Sequence, residues 1–129
     1  MIEGILQRGC CCAESLVRFG LALRGEENET FANAAAGLCN GLHSGHVCGA
    51  LSGGALLLSL FDKQYAARVM IPELTEWFDM EFGMEYGTIN CEDILVEPSQ
   101  KLSRCRALTV KTAEKCVELL MEKGYLKET

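Results

Sequence analysis

Gly37-Leu38-Cys39-Asn40-Gly41-Leu42-His43-Ser44-Gly45-His46-Val47-Cys48-Gly49-Ala50-Leu51-Ser52-Gly53-Gly54 carries glycine at every fourth place from Gly37 to Gly53, with two cysteines and two histidines between them. Glycine in a helix interior costs ~1 kcal/mol relative to alanine, so a run this dense needs a physical reason. Close approach of two backbones, a loop at positive φ, or a bound group would each supply one. The stretch also divides the chain. Before it, Phe31, Ala34, Ala35, Leu38, Cys39 and Leu42 follow the i, i+3, i+4 spacing of a buried helix face, with Asn28 or Thr30 as its cap. After it, the uncharged segment Val47 to Phe61 reads as a core helix starting near Cys48. A turn is expected between Asn40 and His46.

Outward from this turn the periodicity stays helical. Ile5 to Leu23 is rich in Leu, Ala and Val without proline and predicts one helix that stops before Arg24-Gly25. Asp62 to Ile71 allows a continued helix that Pro72 interrupts or restarts. Leu74, Trp77, Phe78 and Phe82 mark an amphipathic helix, loosened at Gly83 and Gly87. Asn90 to Leu95 reads as a short acidic helical turn closed by Pro98. The last helix shows Val110, Ala113, Val117, Leu120 and Met121 on one face and a stop at Gly124. The fold class is therefore all-α: a single compact helical domain over 1–129, of about five helices, with the glycine-rich turn between the second and third.

At 129 residues and 49% hydrophobic content the chain can bury a core without obligatory metals or disulfides. A net charge of −6 with no basic block argues against nucleic acid as a partner. The fifteen residues of Val47 to Phe61 fall short of the roughly 20 that span a bilayer, so no membrane span is expected. Met1-Ile2-Glu3-Gly4 lacks the basic start of a secretory signal, and a cytoplasmic location is the expectation.

Eight cysteines, at 10, 11, 12, 39, 48, 91, 105 and 116, point in a reducing compartment to metal or redox chemistry. No Cys-x-x-Cys pair occurs, so any site must be assembled by the fold. Cys10, Cys11 and Cys12 are consecutive, and at ~100° per helical residue they cannot all face one site. Cys116 sits with Ala113 and Leu120 and reads as core. Cys39 fits its helix's apolar face yet lies close to Cys48 across the turn; Cys10 and Cys11 read as structural or incidental, with replacement of Cys12 as their functional route.

Cys48-Gly49-Ala50-Leu51-Ser52-Gly53, Cys12-Ala13-Glu14-Ser15-Leu16, Tyr86-Gly87-Thr88-Ile89-Asn90-Cys91 and Cys105 together resemble the small bacterial "putative redox-active protein" family, whose four cysteines are scattered as C, C-G-A-x-x-G, C and C. The resemblance runs close to full length. It implies a helical redox domain and singles out Cys12, Cys48, Cys91 and Cys105. Soft sulfur in such a set suits an iron–sulfur cluster or a structural zinc.

Helix N-termini at Cys48 and Cys91, Arg8 one turn before Cys12, and Arg104 and Arg106 beside Cys105 would each favour thiolate. Glu92 and Asp93 oppose this at Cys91. The glycines would let backbone amides approach inorganic sulfide, or would simply let a second helix come close. His43 and His46 flank the turn as ligation or proton-transfer candidates, or as solvent-facing residues. Glu73, Glu76, Asp79, Glu81 and Glu85 read as a solvated face.

Three functions follow. The first is electron transfer or redox sensing by an iron–sulfur cluster on the four cysteines. The second is metal-free dithiol–disulfide cycling, with Cys48 and either Cys91 or Cys105 as the pair. The third is a helical interaction module with buried cysteines. A redox partner protein and a homodimer are the expected partners.

Overall fold

The computed structural model describes residues 2–83 and 98–126, with side chains in 2–83 and 104–126. Its ordered elements are helical, as the periodicities predict, and no strand occurs among the described residues. The N-terminal helix is split, however, into α1 (Ile2–Gln7) and α2 (Cys12–Leu23). The break sits at Gly9, whose φ of 89° is left-handed. Arg8 and Gly9 donate backbone hydrogen bonds to Ile5 and Leu6 at 3.1 and 3.0 Å, ending α1. Cys11 then enters extended, as the cap residue of α2.

Asn28, one of the two expected caps, opens α3 (Glu29–Ala35) by accepting the Phe31 N–H at 3.0 Å. Arg18 fastens α3 to α2: its Nε donates to Glu14 at 2.8 Å, and both terminal nitrogens donate to the Glu29 carboxylate at 2.8 and 3.0 Å. Glu29 is exposed, so this fork orients α3 more than it stabilises it. After Ala35 a single tight turn, Ala36–Leu38, leads to Cys39 in extended backbone. The helical register expected as far as Leu42 stops there. Ala32, Ala35 and Cys39 are buried, but Ala34 is exposed and Leu42 is 55% exposed.

The expected turn follows and is left-handed. Asn40, Leu42 and His43 have φ of 54°, 61° and 54°, and Gly41 and Gly45 have 60° and 76°. A non-glycine residue costs roughly 1–2 kcal/mol in this region, so the surrounding structure must hold three of them in place. His46 N–H closes the turn on the Gly41 carbonyl at 3.0 Å, and His43 Nε2 lies 2.9 Å from the Ala36 carbonyl.

α4 (Gly49–Phe61) is the centre of the molecule. Its glycines let it lie against α2 at backbone distance. A methyl group on Gly53 would stand 2.7 Å from Ala13 Cα; one on Gly49 would meet Cys12 Sγ at 2.6 Å; one on Gly20 of α2 would meet Leu57 Cγ at 2.9 Å. These contacts advance along both helices together, so α2 and α4 run parallel. Gly54 turns to the other side, where a methyl group would meet Leu74 and Thr112 at 2.9 and 3.1 Å. Of the two readings of the glycines, close helix packing is what Gly49, Gly53 and Gly54 do.

Asp62 breaks the chain after α4 with an extended φ of −165° and caps α5 (Lys63–Tyr65), accepting from the Gln64 and Tyr65 amides at 3.1 and 3.0 Å. Winding continues without a break through a wide turn, Ala66–Met70, where the Ile71 N–H reaches back to the Ala66 carbonyl, into α6 (Ile71–Phe78), with Pro72 directly after the widened turn. Leu74, Phe78 and Phe82 are buried, and Phe82 meets Phe78 and Trp77 edge-on at 4.7 and 5.5 Å.

The last helix, α7 (Pro98–Glu122), begins at the proline that the sequence reads as closing the previous piece. Its buried face is Leu108, Thr109, Thr112, Ala113, Cys116, Leu119 and Leu120, whereas Met121 is 37% exposed. Gly124, at φ 84°, ends the helix as expected, and Tyr125 Oη donates to Asp62 at 2.7 Å. The expected acidic turn around Asn90 to Leu95 lies outside the described residues, as does Gly87.

Gly53→Ala should lower stability by about 2 kcal/mol, because its methyl group meets backbone that cannot move alone. Gly37→Ala, with nothing within 4 Å, should stay within about 0.5 kcal/mol of the parent. Urea unfolding of the two variants measures both.

Candidate sulfur site

The parallel course of α2 and α4 places their N-termini at one end of the domain, and cysteine stands at each. Cys12 is the first residue of α2 and Cys48 the cap residue of α4; each is 4% exposed. α7 brings Cys105 to the same place. Its thiol lies within hydrogen-bonding reach of Cys12, and Cys48 is near enough to act on Cys12 through charge. Cys105 lies inside α7, and its carbonyl accepts the buried Thr109 hydroxyl at 2.7 Å. Of the four cysteines singled out by sequence, Cys12, Cys48 and Cys105 are thus brought together; Cys91 lies outside the described residues.

The Cys12 thiol is held well above the ordinary thiol range. Hydrogen bonding with Cys105 is the largest cause, burial the next, then the charges of Cys105 and Cys48; the Asn40 backbone amide acts in the opposite direction. This reverses the expectation that Arg8 would favour a thiolate at Cys12. The break at Gly9 takes Arg8 off the helix of Cys12, and its charge acts on Cys10 instead. Cys10 is half-buried, and its thiol is also raised, first by burial and then by hydrogen bonding with Glu14.

Gly49 is the keyhole of the site. A side chain there would press on Cys12 Sγ, on the Leu38 carbonyl at 2.9 Å and on Cys39 Cα at 3.2 Å. Only a residue without Cβ lets the N-terminus of α4 sit beside both cysteines.

A further pair was not foreseen. Cys11 and Cys39 form a disulfide across 28 residues, with Cα atoms 6.1 Å apart, inside the ordinary range for such bonds. Cys11, read from sequence as structural or incidental, therefore has a defined partner, and Cys39 is bonded rather than merely packed. The signal lay in Gly9: once the N-terminal helix breaks there, Cys11 becomes a cap residue free to face Cys39. Cys116 is core, as expected. Burial pushes its thiol up to about 12, and its Sγ lies 3.8 Å from the Gly54 carbonyl.

His43 and His46 are both exposed. Glu76, Asp79 and Glu81 are exposed and Glu73 half-buried, in keeping with a solvated face; Glu85 lies outside the described residues. Among the described residues no group of three or more His, Cys, Asp or Glu is arranged to hold a metal ion. No described helix is long and apolar enough to cross a membrane.

The model of the family described as "Putative redox-active protein (C_GCAxxG_C_C)" matches residues 10–119. Ala50 and Gly53 keep the places of the label's central motif, but the label writes Gly-Cys where this chain has Cys48-Gly49. A cysteine at 49 would collide with Cys12, which fits the order found here. No curated protein and no solved structure matches the chain.

Cys39→Ser should cost about 3.6 kcal/mol in non-reducing urea unfolding, the loop-entropy value for a loop closed across 28 residues, and much less when reductant opens the bond in the parent. At Cys116 the folded pKa is raised from 9.0 to about 12, so the stability carried by the neutral thiol is full below pH 9.0 and is lost as pH rises toward 12. Cys116→Ala should flatten that part of an alkaline unfolding series.

Proposed function

The chain belongs to the C_GCAxxG_C_C family, and from that premise we propose that it is a redox protein in which Cys12, Cys48, Cys91 and Cys105 hold an iron–sulfur cluster for electron transfer or redox sensing. The observation that carries this reading is the meeting of Cys12, Cys48 and Cys105, far apart in sequence, at the end where two parallel helices begin. What suits the group is the chemistry of the donors, three soft sulfurs of which two are nearly fully buried at helix starts; as they stand, the described residues do not form a metal-holding group, so the reading requires Cys91 as well and a closing of the sulfurs on loading. A bound cluster would supply one-electron chemistry. The chain supplies the sulfurs, the amides of the α4 start and a cover that keeps water away. A thiol that hydrogen-bonds its neighbour is protonated, so loading would release protons and favour higher pH. A cytoplasmic setting and a redox partner protein belong to the same proposal.

The contact between the Cys12 and Cys105 thiols favours a second reading, in which these two cycle between dithiol and disulfide without metal. Anaerobic purification and reconstitution, followed by iron, sulfide and visible absorption measurements, separates the two. The cluster reading expects bound iron and sulfide that Cys12→Ser, Cys48→Ser, Cys91→Ser or Cys105→Ser each diminishes strongly. A colourless chain after reconstitution, with a Cys12–Cys105 bridge on mild oxidation, would overturn it in favour of the second.

A further inference from the structure

The Cys11–Cys39 disulfide takes no part in the four-cysteine set, yet it lies against it. Cys11 is the chain neighbour of Cys12, and Cys39 Cα is the third nearest obstacle to a side chain on Gly49, after Cys12 Sγ itself. We infer that Cys11–Cys39 is a second redox site, a two-electron couple that exchanges with external dithiols through the Cys11 sulfur.

Three observations carry this. First, the two ends of the bond differ in access: Cys11 is half-buried, whereas Cys39 is 1% exposed. The Cys11 end is therefore the more open one to an incoming thiolate, and thiol–disulfide exchange needs only one sulfur. Second, the bond ties the start of α2 to the residue that opens the left-handed turn, where Asn40, Leu42 and His43 are held at positive φ. Strain persists where its surroundings impose it, and this bond anchors one end of the strained segment. Third, a chain of this length with a contiguous buried core needs no staple. In the reducing compartment proposed above, a disulfide is transient and catalytic or sensing.

The exchange balances in two steps. A thiolate of the external dithiol attacks Sγ of Cys11; the Cys11–Cys39 bond breaks, a mixed disulfide forms on Cys11, and Cys39 leaves as a thiolate that takes a proton from water. The second thiolate of the same dithiol then attacks its own sulfur in the mixed disulfide and releases Cys11, which is protonated in turn. The external dithiol is oxidised to its disulfide, and the protein gains two electrons and two protons.

This goes beyond the cluster reading and needs no metal, so its test is run on chelator-treated full-length chain and reads only Cys11 and Cys39. Native protein is titrated with dithiothreitol, quenched with acid, then unfolded, alkylated with iodoacetamide and mapped by tandem mass spectrometry. Cys11 and Cys39 should become labelled together in one transition without unfolding, as followed by circular dichroism. In a Cys10→Ser background, glutathione disulfide should leave a mixed disulfide on Cys11 of the Cys39→Ser variant. The Cys11→Ser variant should show loss of the adduct, with Cys39 unmodified. A bond that opens only after denaturation, or an adduct that forms on Cys39 as readily as on Cys11, would overturn the inference. Neither result bears on iron binding.

Discussion

At Gly53 the backbone of α4 lies so close to that of Ala13 in α2 that a methyl group would stand 2.7 Å from the Ala13 Cα, and the sulfur end depends on this contact. With a side chain at 53, one of the two backbones would have to move to relieve the contact. Cys12 and Cys48 sit beside their own helix starts, so their separation is set by the spacing and stagger of those helices. Gly49 then repeats the constraint one turn earlier, directly beside Cys12 Sγ. A stripe of small residues thus fixes the positions of sulfurs that lie outside the stripe.

The same arrangement governs protonation. Burial and neighbouring thiols both disfavour charge at Cys12, and only the Asn40 amide is set against them. A cysteine at a helix start is commonly expected to be acidic because free amides favour negative charge. Here a competing interaction wins, since another sulfur lies within hydrogen-bonding reach. Local position alone is a poor guide to a thiol whose nearest neighbours come from other helices.

Much of the fold was legible in the sequence. The apolar periodicities give the helical class, Asn28 marks the start of α3, Gly124 the end of α7, and the Gly37 to Gly54 run contains the turn where it is found. Boundaries were less legible. Gly9 follows Gln7 and Arg8 and could signal a break, but the apolar spacing on its two sides also fits one continuous helix; Pro98 suits the first turn of a helix as well as the end of a loop. On the site, Cys12, Cys48 and Cys105 could be singled out by motif, but spacing carries no distance between segments, and their meeting is visible only in the fold. The Cys11–Cys39 bond was hidden for a different reason: it belongs to no motif, and its geometry arises only because the helix breaks before Cys11.

The parallel course of α2 and α4 bears on how the chain reaches its fold. Neighbouring helices in an up-and-down bundle meet through short loops, so their contacts form early and locally. Here Ala13 and Gly53 must meet across the whole of α3 and the left-handed turn, a crossover more typical of parallel strands than of helices. Longer loops cost more entropy to close before any contact rewards them, and non-local contacts slow folding. An all-helical chain of this topology should therefore refold more slowly than an up-and-down bundle of equal length. Because Cys11 stands just before α2 and Cys39 just after α3, their bond spans most of that crossover, and the oxidised chain begins its search with much of the loop already closed.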